Sequence, residues 1–131
     1  MTTPSKALNI TLWVAQIIVA VLLLWAASVK LLKPINDIPA MWPWAGQVSS
    51  TLVRFTGVVD LLGALGLILP PVFRLKPILT PLAAVGVVVL MICASIFHIS
   101  RGEGSQIGIN IVVLMIAAFI AWGRFKTIAR R

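Results

Sequence analysis

Few residues in this 131-residue chain could do chemistry, and most of them lie inside or at the ends of apolar runs. Asp60 is the clearest. It sits near the middle of RFTGVVDLLGALGLILP, Arg54 to Pro70, which is apolar enough to cross a bilayer. A carboxylate at the centre of a membrane helix costs roughly 2.5–3.5 kcal/mol on insertion scales. It must therefore face protein or water and have a partner. Positions three and four away share its helix face, and they hold Thr56, Gly57, Gly63 and Ala64, all small. Small residues let a second helix come close or leave room for a ligand. Lys30, near the end of an earlier apolar run, is the partner on offer, because a lysine there can snorkel outward or reach inward to Asp60.

Two readings of that pair stand side by side. A buried ion pair can fix helix register, which is its best-attested use. Alternatively, Asp60, Lys30 and His98 form a polar pocket that binds a small molecule or headgroup and moves protons, the default reading of an ionisable group inside a membrane. His98 is either a satisfied interfacial histidine or a wall of that pocket. Gln106 and Asn110 fall one turn apart and either bridge helices or reach the pocket. Arg101 and Glu103 read as an exposed loop pair, and Arg54 is grouped with them as a candidate near the loops.

Other chemistries find no residues to carry them. There is no metal-ligand spacing, nucleophile elbow or phosphate loop, so catalysis through a protein nucleophile has no support. The single histidine excludes a haem held by two histidines of one chain. The single cysteine, Cys93, excludes an intramolecular disulfide and a C-x-x-C dithiol, and reads as a small buried core residue.

The elements that position these residues follow from composition. Hydrophobic residues make up 60% and charged residues 11%, with a mean hydropathy of +1.08. A soluble domain carries about a quarter charged residues. The chain therefore reads as an all-α integral membrane protein, a single domain over 1–131 folded as a four-helix up-down bundle. The spans are placed at about 8–32, 51–69, 78–99 and 106–122, which leaves no soluble catalytic domain. The net charge of +8 does not imply nucleic-acid binding, because the basic residues sit at the ends of apolar runs, as topology and headgroup contact require.

In span one, Gln16, Ala20, Leu23, Ala27 and Lys30 share a face turned toward the bundle, with Trp13 and Trp25 as interface anchors. Pro34 ends that helix. The longest loop, 33–50, holds Trp42 and Trp44 among three prolines. They are either aromatic anchors in the headgroup layer or a lid over a pocket. Ser49, Ser50 and Thr51 offer N-cap chemistry for span two, and Pro70, Pro71 and Pro77 mark the turn after it. Ala83, Ala84 and Gly86 make a small face on span three, free to meet another membrane protein.

Four spans put both termini on one side. That side holds seven of the 11 basic residues, Lys6, Arg74, Lys76, Arg124, Lys126, Arg130 and Arg131, so the positive-inside rule places both termini in the cytoplasm. The polar residues that could face inward then cluster in the outer half, leaving the inner half apolar.

Three motifs resemble the DoxX-like family of small bacterial four-helix membrane proteins. They are A-x-x-K-L-x-x-P as Ala27 to Pro34, G-x-x-D-L-L-G-A-L-G-L-I-L-P as Gly57 to Pro70, and F-H-x-x-R-G-E as Phe97 to Glu103. The resemblance covers about residues 8–125. It implies a multi-pass protein of the bacterial cytoplasmic membrane, linked to quinone-associated redox systems or to stress detoxification. Relatives include a subunit of archaeal thiosulfate:quinone oxidoreductase, and others assemble with detoxifying enzymes. The expectation is a bound quinone or lipid with no intrinsic cofactor, and a role as an accessory to a redox system. An assembly factor for another membrane protein, a homo-oligomer and, least favoured, a small-molecule exporter remain as alternatives. Any enzymatic role would be as a quinone-linked oxidoreductase subunit. The family's acidic position is often glutamate; Asp60 is one methylene shorter.

Overall fold

Serine hydroxyls set where two of the helices begin. Ser5 Oγ accepts the Leu8 N–H at 3.0 Å and Ser49 Oγ accepts the Leu52 N–H at 3.1 Å, each satisfying a donor that the first helical turn leaves open. Of the three hydroxyl residues at 49–51, Ser49 is the cap. The computed structural model describes residues 5–102 and 107–129; Glu103 and Gln106 lie outside them.

Helix α1 spans Lys6–Leu32, α2 Ser50–Val72, α3 Leu79–Ser100 and α4 Gly108–Ala129. All four are long and apolar enough to cross a membrane. They pack as an up-down bundle, α1 against α2 and α4, α3 against α2 and α4. Val19, Leu23, Ala64, Leu67, Ala84, Val87, Ala117 and Ile120 fill its centre. The outward faces are apolar too, with Val21, Leu62, Val89, Ile96 and Met115 exposed. Helices apolar on both faces belong in lipid. The chain is a multi-pass membrane protein with four spans.

Helix α2 does not stop at Leu69 as its prolines suggest, but runs through Pro70 and Pro71 to Val72. A proline lacks the N–H that the carbonyl four residues back would accept. Here other helices supply the missing donors. Thr80 Oγ1 of α3 donates to the Gly66 carbonyl at 3.3 Å, and Gln16 Nε2 of α1 donates to the Leu67 carbonyl at 2.7 Å. These are the two oxygens that Pro70 and Pro71 leave open, and in hydrocarbon such carbonyls must be satisfied internally. The helix then closes with Arg74 in the left-handed region, φ 55°, and the Leu75 N–H bonded to the Pro70 carbonyl at 2.8 Å, a Schellman closure.

Three further expectations change. Helix α4 runs past Trp122 to Ala129, because nothing in GRFKTIA breaks it; this carries Arg124 and Thr127 into the bundle end. Cys93 is exposed rather than buried, since it flanks the outward stripe of Ile92 and Ile96. Of the small face on α3, Ala84 is fully buried and Ala83 lies where a side chain at Gly66 would clash, while Gly86 is open. The bundle itself uses most of that face.

Candidate functional site

The last turns of α1 and the middle of α2 meet at Gly57. A Cβ there would lie 2.8 Å from Lys30 Cβ, so only glycine permits the approach. That closeness lets Lys30 Nζ donate to Asp60 Oδ2 at 2.8 Å, with the two side chains 13% and 3% exposed. Gly57→Val should push α1 away, destabilising the bundle by about 1–3 kcal/mol. Thermal unfolding in detergent checks this, and an unchanged melting point would contradict the close packing.

Arg54 lies in the first turns of α2, not in a loop. Its guanidinium donates to the Lys30 carbonyl at 2.6 Å and the Lys33 carbonyl at 3.1 Å. It closes the open end of α1, where a cation also suits the helix dipole. Its described contacts position Lys30 and do not line the pocket.

The loop between α1 and α2 folds over this pair. Two 3₁₀ turns, Ile35–Ala40 and Pro43–Gly46, are anchored by buried Ile38 and Ala45 against Val29 and Val53. Between the turns Trp42, and within the second Trp44, reach inward. Lys30 Nζ lies 5.7 Å from the centroid of each ring, within cation–π range. The rings stack on each other at 6.4 Å. Trp25 packs edge-on to Trp42 at 5.5 Å, and Phe97 and His98 edge-on to Trp44 at 6.0 and 6.4 Å. The two tryptophan rings lie over the Lys30 ammonium and pack against each other. Trp25 belongs to the same aromatic cluster.

Space remains on both sides of the pair. One cavity of about 230 Å³ lies toward α4 and is lined by Trp25, Asn110 and Val113. The other, about 220 Å³, lies between α2 and α3 and is lined by Leu52, Cys93 and Phe97. Lys30, Trp44, Asp60, Met91, Ala94 and His98 border both. Lys30, Asp60, His98, Asn110, Trp42 and Trp44, drawn from α1, α2, α3, α4 and the loop, therefore meet. Arg101 lines neither cavity; its guanidinium carbon lies 5.1 Å from the centroid of the Phe97 ring.

Polar side chains also gather at the opposite end, where the sequence suggested an apolar half. Gln16, fully buried, accepts from Arg124 Nε at 2.6 Å while donating to Leu67; Arg124 also donates to Asn9 Oδ1 at 2.9 Å. The apolar centre separates the two polar ends, and among the described residues no continuous polar path joins them. The signal for this second cluster was a glutamine on the bundle face of α1 opposite a double proline.

A family model described as the DoxX-like family matches residues 14–120. No curated protein and no solved structure matches the chain.

Proposed function

The chain belongs to the DoxX-like family, and from that premise we propose that it binds the headgroup of a quinone at Lys30 and Asp60. It would do so in the bacterial cytoplasmic membrane, both termini inside, as an accessory to a redox or stress-detoxification system. One observation carries this reading: an ion pair inside the membrane, roofed by two tryptophans, with space on both sides. A register pair needs neither the roof nor the space.

The chemistry suits both redox forms. Quinone carbonyls accept hydrogen bonds, and the Lys30 ammonium and Asn110 amide can donate them. Quinol hydroxyls donate, and the Asp60 carboxylate can accept. Indole faces offer a flat ring its stacking surface. Each cavity is smaller than the roughly 300–1,000 Å³ of drug-sized sites, so a ring fits and a long tail does not. The tail would leave between α2 and α3, past Leu52, Cys93 and Phe97, into lipid.

Titration with a short-chain quinone, followed by quenching of indole fluorescence, tests this. Saturable quenching is expected, with affinity falling about tenfold or more in Lys30→Met, the loss of one charged hydrogen bond. Linear, unsaturable quenching in the parent protein would mean partitioning into detergent and no site.

A further inference from the structure

At the end bearing the termini, a cavity of about 420 Å³ is lined by Asn9, Trp13, Arg74 and Arg124 together with Pro70, Pro71 and Pro77. It is larger than either space beside Lys30, and the quinone reading does not use it. We propose that this cavity is an anion site, which takes a phosphate-bearing group between Arg74 and Arg124.

The charge of the lining points there. Two arginines line the cavity and, among the described residues, no aspartate or glutamate does. Asp60 lies with the tryptophans at the other end of the bundle. Guanidinium forks match phosphate oxygens with paired N–H donors. Basic residues crowd this end of the chain and raise the local concentration of anions.

The arginines reach the cavity for separate structural reasons. Arg124 is held in place by Gln16, by Asn9 and by the Trp13 ring, 5.9 Å from its guanidinium carbon, so little order is lost when it meets a ligand. Arg74 occupies the left-handed residue that ends α2. A non-glycine residue there costs on the order of 1 kcal/mol, and an asparagine or glycine would close the helix more easily. Among the described residues Arg74 has no ion-pair partner. Thr80 and Thr127 also line it, and three prolines with Leu75 and Ile128 add stiff apolar walls. Basic pockets at helix ends are where phospholipid headgroups bind.

Native mass spectrometry of the delipidated protein tests the site with three probes: phosphatidylglycerol, phosphatidylcholine and inorganic phosphate. Arg74→Gln is the informative variant, because Arg74 is exposed and its loss leaves the Gln16–Arg124–Asn9 network intact. Phosphatidylglycerol is expected to be retained over phosphatidylcholine, and its retention to fall about tenfold in Arg74→Gln. Lys76→Gln, a neighbour outside the cavity lining, should change little. Displacement of the lipid by millimolar phosphate would identify a free anion as the ligand; resistance to phosphate would identify the lipid. Equal retention of both lipids together with no phosphate adduct, or an equal loss in Lys76→Gln, would overturn the proposal, the last by showing only diffuse surface attraction. A melting curve of Arg74→Gln matching the parent's establishes that the variant is folded.

Discussion

Asp60→Ala should destabilise the bundle by about 3 kcal/mol, the low end of what removing one partner of a buried pair costs. The low end applies because Lys30 is 13% exposed and can partly snorkel away. The double variant Lys30→Met/Asp60→Leu should recover most of that loss, since well-packed apolar side chains replace buried pairs at little cost. It should not recover ligand binding. Stability and binding are thereby separated: a pair kept only for helix register would lose neither function nor ligand in the apolar double variant. Thermal unfolding in detergent gives the first quantity and the quinone titration gives the second. A double variant that still saturates with quinone would assign the pair to architecture alone.

The second large effect is expected far from that pocket. Gln16→Leu removes the donor to the Leu67 carbonyl and the acceptor of Arg124 Nε together. An average hydrogen bond between membrane helices contributes about 0.6 kcal/mol. Here two groups lose partners in a fully buried place, so a loss of about 2–4 kcal/mol is expected. A rescue is expected as well. Pro71→Ala restores an N–H four residues beyond Leu67, so in the Gln16→Leu background it should return about 1 kcal/mol. In the parent protein the same change should have little effect. No rescue in the double variant would mean that Gln16 does not serve the proline-freed carbonyl.

The contrast between these two sites shows what could be read in advance. Asp60 was legible because a carboxylate in an apolar run requires a partner, and the small residues on its face said where that partner would come. Lys30, His98 and Asn110 followed from the up-down topology, which brings those helix ends together. The role of Trp42 and Trp44 was not legible. An interfacial anchor and a lid have the same composition, and the packing of Trp42 and Trp44 near Lys30 depends on two 3₁₀ turns anchored by Ile38 and Ala45. Gln16 was recognised as facing the bundle, but its partner is a backbone oxygen that no side-chain pattern announces. A span placed at 106–122 leaves Arg124 outside the membrane helices, among the basic residues on the side of the termini. One more turn of helix brings it under Gln16. The double proline hid its own solution, since the donors that satisfy Gly66 and Leu67 come from residues 14 and 51 positions away in sequence.

In the proposed reading Asp60 and Lys30 form the floor of a quinone site. Organic extraction and mass spectrometry of the protein purified from its native membrane, beside an Asp60→Asn control of matched stability, tests it most directly. A quinone is expected to be retained by the parent and lost from the variant. Bulk phospholipid alone in both extracts, or a quinone retained equally by both, would contradict it.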